Sequence, residues 1–246
     1  MVLSSGFVMI KDEIRGVSLY FCPFTLNQME FDMKKLYLTR KAPNPRKVVI
    51  LLEAKGINLD EIDDIEVIDI DMAKGEHLTE EFAKINPLKL LPVLVLEDGT
   101  VLNDSQAICE YLDRVYGERS VMGNDVVQRA QVCSIRRAAE FEVLYNFMLA
   151  FQHSHPSKAH RVDQVPEFAP KSIARAEKAL PYFNNILKDK DYLVGNQLSY
   201  ADIVLYIGLD FGRVLKFDPT AHGEGIARFY NTMNERFSFQ RNKDEG

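Results

Sequence analysis

The chain has 246 residues, 46% of them hydrophobic and 27% charged, with a formal charge of -6 and a pI of about 5.5. That length suffices for one large domain or two small ones with a proper apolar core. The acidic balance leaves no electrostatic footprint for nucleic acid, and no apolar run approaches the ~20 residues of a membrane-spanning helix, so neither partner is expected.

Residues 1–32 mix short apolar pieces without a sustained period and read as an N-terminal extension. They lack the basic start and apolar core of a signal peptide, and Met33 could start a complete domain. Leu36 to Leu38 reads as a strand. After a loop from Thr39, Asn44 is a good N-cap with Pro45 at the first helical position. Val48, Val49, Leu51 and Leu52 then give a helical apolar stripe that Gly56 closes. Ile65 to Ile70 is a second strand, parallel to the first if the crossover is the usual one. Glu80 to Lys84 is a short helix. Val93 to Leu96 and Val101 to Asn103 are strands joined by a Glu97-Asp-Gly-Thr hairpin. Ser105 can cap a helix whose apolar positions are Ala107, Ile108, Tyr111, Leu112 and Val115. This order, β-α-β-α-β-β-α, predicts a compact α/β unit with a mixed sheet.

Gly117 to Asp125 marks a linker, and helices follow. One regular helix is expected over Val126 to Phe151, about 39 Å long, and another over Ala169 to Leu187. Ser199-Tyr-Ala-Asp202 is a capping-box variant, with Leu198 and Ile203 placed for a hydrophobic staple. Ile203 to Leu215 continues as a buried helix, and Gly225 to Arg236 is the last before a polar tail, Asn242 to Gly246. The three cysteines, Cys22, Cys109 and Cys133, form no disulfide framework and fit a reducing cytoplasm. The histidines offer no metal-ligand spacing, so no metal is expected.

Three local signals, in this order and spacing, resemble the cytosolic glutathione transferases over Lys34 to about Arg241: Leu91–Pro92 before a strand, Asp104–Ser105 at a helix start, and Leu198-Ser-Tyr-Ala-Asp-Ile203. Ala42 to Arg46, Lys74 to His77 and His153 to Pro156 are most similar to an atypical bacterial and fungal group with Ala-Pro-Asn at the first helix. The resemblance implies a thioredoxin-like glutathione-binding domain at 33–117 with a mixed four-stranded sheet, and an all-helical C-terminal domain at 124–241. Phe21-Cys22-Pro23-Phe24 is similar to a thiol-transferase motif, but no good amphipathic helix follows, and Cys22 is read as a bystander.

Glutathione is an anionic tripeptide with a thiol. The family's cis-proline, Pro92, would let Leu91 pair with its cysteinyl unit through backbone groups. Asp104 would meet the γ-glutamyl ammonium, and the Ser105 hydroxyl and N–H its carboxylate, aided by the helix dipole. The helix start at Ala42 to Arg46 would favour thiolate. Asn44 could donate to the sulfur, as the matching residue does in relatives with Ala-Pro-Asn, or could be only an N-cap. His77 could contact the glycyl carboxylate or be a solvated loop histidine.

The chain departs from the family in several places. Ala42 stands where common classes place Ser or Cys, which leaves Thr39 as a second donor. Leu90 replaces the usual Lys, Gln or Arg, and Lys89 is expected to compensate. Where some members position water with a Ser and a His, this chain has Met148 and Gln152, with His153 adjacent. Tyr145, Met148, Phe151 and Phe211 are expected around an electrophile between the domains. The implied activity is that of a glutathione transferase, attack of the glutathione thiolate on a small electrophile in detoxification. Glutathione is then the co-substrate, in a cytoplasmic homodimer. The alternatives are glutathione-dependent peroxide or disulfide reduction, and non-catalytic binding or regulation on the same fold.

Overall fold

The computed structural model describes residues 33–237. The expected extension with Cys22, and the polar tail, lie outside them. Four strands, β1 (Lys34–Leu38), β2 (Ile65–Asp69), β3 (Val93–Val95) and β4 (Val101–Leu102), form a mixed sheet in the order β2-β1-β3-β4. β1 and β2 are parallel; β3 runs antiparallel to both β1 and β4. Leu36 and Leu38 alternate inward along β1 and are fully buried. Lys34 is buried at the strand's start, where Asp64 and Glu97 pair with its ammonium.

The β1–β2 crossover carries α1 (Pro43–Ala54). The expected stripe is too narrow: Ile50 is buried along with Val48, Val49, Leu51 and Leu52, because α1 packs against α3 (Ser105–Val115) and also against α7 (Tyr200–Gly212). A helix covered on all sides needs no polar face. Gly56, at φ +78°, ends it in a Schellman arrangement, with its N–H on Glu53 O and that of Ile57 on Leu52 O. The short α2 (Glu80–Ile85) precedes β3, with Thr79 as its cap.

The single helix expected over Val126 to Phe151 is instead α4 (Val126–Ala138), a π-helical turn (Ala139–Leu144) and α5 (Tyr145–Ser154). Two features stabilise the wide turn. The buried Asn146 amide donates to Phe141 O (2.8 Å) and Glu142 O (3.0 Å), carbonyls that the altered winding would strand. Gly208 of α7 lets the Leu144 backbone close in; a Cβ there would lie 3.2 Å from Leu144 N. The remaining helices are α6 (Phe168–Leu187) and α8 (Glu224–Phe237). One apolar core runs from the sheet through α1 into α7.

α7 starts at Tyr200, where the capping-box reading places it, and ends at Gly212 in a 3-10 turn (Arg213–Leu215). The capping variant forms, with Ser199 as N-cap and the staple residues Leu198 and Ile203 buried. The Asp202 carboxylate accepts from Ser199 N (2.7 Å), Ser199 Oγ (2.6 Å) and Leu193 N (2.7 Å). Burial pushes this carboxyl up to about 6 despite those donors. Asp202→Ala would strand two buried backbone donors and remove a cap, so it should cost about 3 kcal/mol or more, read as a lower denaturant midpoint at unchanged m-value.

Candidate functional site

Strand register gathers four sequence-distant segments at one end of the sheet. Tyr37 pairs with Val93, so the end of β1 lies beside the start of β3 and the Leu91–Pro92 bond. Leu94 pairs with Leu102, which brings the end of β4, and with it Asp104, to the same end. Leu38 pairs with Asp69, which sends the segment carrying His77 out there too. The first turn of α1 completes the group, since it follows β1 by a short loop.

That first turn differs from expectation. Ala42, extended at φ -89° and ψ 146°, is the N-cap, and its side chain makes no capping bond; Pro43 is the first helical residue. A proline fits N1 because the missing N–H has no intrahelical acceptor to lose, and Pro45 at N3 fits for the same reason. Asn44 is therefore at N2 and caps nothing. Arg46 N–H is taken by Ala42 O at 3.2 Å. Of the turn's first three positions only Asn44 retains a backbone donor, and neither that N–H nor its side-chain amide has a partner among the described residues. Thr39 is half-buried at the start of the loop. Arg46 points back into the protein, 2.7 Å from Asp210 Oδ2, while Tyr230 donates to the other oxygen of that carboxylate at 3.0 Å.

The Leu91–Pro92 peptide is cis, as the motif predicts. Among the described residues the N–H and C=O of Leu91 have no backbone partner. The preceding loop is built on the buried Asn86, which accepts from Leu88 N and donates to Leu90 O at 2.9 Å. Lys89 does not compensate for Leu90: at φ +54° it turns its ammonium to Glu80 and Leu78 O, both at 2.9 Å.

Asp104, not Ser105, caps α3. Its Oδ1 accepts from Gln106 N (2.8 Å) and Ala107 N (3.4 Å). A carboxylate in the extended cap position reaches the next amides better than a hydroxyl one residue on, already inside the helix. Ser105 is thereby the first helical residue, with its N–H and hydroxyl unclaimed among the described residues.

His77 is not a solvated loop residue. It is buried, and Arg161 Nη1 lies 3.0 Å from its Nε2. A guanidinium only donates, so Nε2 must supply the lone pair and the ring proton sits on Nδ1. That Nδ1–H is buried without a partner among the described residues.

The helical side contributes Phe151 and Phe211, edge to face at 5.4 Å, with His155 stacked on Phe151 at 4.5 Å. Tyr145 is not with them: it is half exposed in a groove of about 360 Å³ between α5 and α6, with Phe141, Leu149 and Phe168. Met148 packs against the core. His153 accepts from Val165 N at 3.2 Å and meets Phe168 edge-on, on that outer side. Arg161 and Lys158 were not singled out from sequence, although the basic run Lys158 to Arg161 carries no acid to balance it. Among the described residues no group of three or more His, Cys, Asp or Glu could hold a metal ion, and no helix is long and apolar enough to cross a membrane.

Comparison with known proteins agrees with this architecture. Residues 42–115 match the model of the glutathione S-transferase N-terminal domain, and residues 143–236 that of the C-terminal domain. The chain is 30% identical to glutathione S-transferase GstA of Escherichia coli O157:H7, over 70% of this chain and 82% of that one. The crystal structure of Gtt2 from Saccharomyces cerevisiae superposes with a TM-score of 0.75 at 28% identity, covering 84% of this chain and 99% of that one. A glutathione S-transferase from Methylobacillus flagellatus KT, solved with GSH bound, gives 0.69 at 25% identity, covering 85% and 98%.

Burial, with Arg161 and Lys158 nearby, holds the His77 imidazole below its ordinary 6.5. As pH falls through that value the unfolded chain takes the proton before the folded one, so this residue's contribution to stability is lost from about 6.5 downward. His77→Gln should therefore lower stability less at about pH 5.5 than at about pH 7.5, measured by urea denaturation. Parallel pH profiles for the two proteins would show that His77 does not carry the effect.

Proposed function

The chain belongs to the glutathione S-transferase family, and from that premise we propose that it binds glutathione at this end of the sheet and directs its thiolate at a small electrophile. The observation that carries the reading is the convergence of Leu91, Asp104–Ser105 and the first turn of α1. In this reading Leu91 beside Pro92 pairs with the cysteinyl backbone. The Asp104 carboxylate meets the γ-glutamyl ammonium, and the Ser105 hydroxyl and N–H its carboxylate. His77 offers Nδ1–H to the glycyl carboxylate. The sulfur then lies at the start of α1. Loss of the thiol proton to water leaves a thiolate; its electron pair forms the new C–S bond while the leaving group departs with its own pair.

Magnitudes select the activating group. Lowering a thiol pKa by two units takes about 2.7 kcal/mol. A helix terminus supplies roughly 0.3–1 kcal/mol, and a hydrogen bond to a charged acceptor about 1.5–3 kcal/mol. The dipole alone falls short, so a donor is required. Ala42 has none, and the two prolines leave Asn44 as the source, through its backbone N–H and its side chain, with Thr39 upstream as the second choice. A cytoplasmic homodimer acting on electrophiles in detoxification is part of the same reading and rests on family membership.

Ala42 also favours a second reading, glutathione binding without catalysis. Both are tested on Asn44→Ala, which keeps the backbone donor and removes the amide. Bound-thiolate absorbance should titrate about one unit higher, and kcat/KM towards an aryl halide should fall about tenfold, with glutathione affinity nearly unchanged. Unchanged titration and turnover would remove Asn44 from the mechanism. Glutathione binding without turnover on aryl halide, hydroperoxide or mixed disulfide would favour the non-catalytic reading.

A further inference from the structure

Lys158 ends a 3-10 turn (Pro156–Lys158) just after α5, and Arg161 follows three residues on. Among the described residues neither has an ion-pair partner. Arg161 lies against His77 Nε2, and burial together with Arg161 pushes the Lys158 ammonium below its usual range. Like charges near a buried, orphaned N–H repel one another, and among the described residues no carboxylate forms an ion pair with either cation. Arg161 is exposed and Lys158 half-buried; the Lys158 ammonium lies 5.5 Å over the Phe151 ring, and Arg161 lies at His77.

Separate contacts place these cations beside aromatic residues of the helical half and beside His77. Arg46 is tied to Asp210, Phe211 follows Asp210 in α7, and Phe151 meets Phe211. Lys158 covers Phe151, and Arg161 lies at His77 of the sheet domain. Phe151 thus touches both the Phe211 ring and the Lys158 ammonium.

We propose that Lys158 and Arg161 form a carboxylate-binding locus that selects acidic electrophiles and their glutathione conjugates, with the apolar body of the ligand on Phe151 and Phe211. The inference rests on the glutathione reading above. A carboxylate could also come from glutathione itself, through its glycyl end, and the test separates the two sources.

Calorimetry on the full chain would compare glutathione, S-benzylglutathione and S-(4-carboxybenzyl)glutathione, with the Lys158→Gln/Arg161→Gln double variant alongside. The native chain should bind the carboxybenzyl conjugate about tenfold more tightly than the benzyl one, the size expected for a partly exposed charge-assisted contact. The double variant should lose that preference and keep its affinity for the other two ligands within about twofold. Both positions lie on a surface segment, and an unchanged melting profile would confirm that the variant is folded. No preference for the carboxylate in the native chain would overturn the proposal. So would an equal loss for all three ligands in the variant, which would assign the cations to glutathione's own carboxylate. If the native chain binds none of the three at millimolar concentration, the glutathione reading fails first; if it binds glutathione and the benzyl conjugate without preference, only this inference fails.

Discussion

Burial of α1 on every side is the constraint on which the rest of the structure depends. It packs against α3 and α7 and shares one apolar core with the sheet, so one helix belongs to the core of both the α/β and the helical halves. Two ion pairs fix its position further. Lys47, only 1% exposed, meets Glu140 of the π turn at 2.6 Å, and Arg46 meets Asp210 of α7 at 2.7 Å. Pairs of this kind add little net stability, because desolvation offsets attraction, but breaking one leaves a buried charge at a cost of several kcal/mol. They act as register marks: α1 has one seat against the helical half, and the turn that faces the site is held with it.

The π turn belongs to the same arrangement. Glu140 lies within it and also takes Arg136 at 2.7 Å. A regular helix would rotate the following residues by a fraction of a turn and change which side chains of α5 face α7. With the extra residue accommodated, Phe151 meets Phe211 while Tyr145 and Phe141 turn to the outer groove. The local winding of one helix therefore decides which aromatic residues reach the cleft.

Most of the fold was legible because its signals are local. Strand alternation, the Asp-Gly hairpin, Gly56 and the Ser199–Asp202 cap each specify backbone conformation within a few residues. The cis-proline was legible through its motif. What sequence could not supply depended on tertiary packing or on competition between neighbours. Asn44 and Ser105 are good caps, yet Ala42 and Asp104 occupy those positions, because proline tolerance at N1 and N3 and the reach of a carboxylate shift each helix start. Asn146 reads as an ordinary polar residue, and only the structure shows it bridging two carbonyls. His77 and Lys89 were placed by partners 84 and 9 residues away, which no local pattern encodes.

The groups proposed to hold the ligand are mostly donors, and that bears on its chemistry. Asn44, Leu91, Ser105 and His77 each offer an N–H without a described partner. Of the residues proposed to touch the ligand, Asp104 supplies the carboxylate, and one of its oxygens already caps α3; Asp69, Asp71 and Glu76 also lie toward this end. In the proposed reading such a set of groups suits a ligand rich in acceptors with a single cationic group. Glutathione as its thiolate has two carboxylates, a sulfur anion and one ammonium. The complementarity lies in the count and sign of the groups as well as in their positions. It arises because helix starts, a proline-bent strand end and a buried imidazole all expose N–H groups, and strand register brings every one of them to the same end of the sheet.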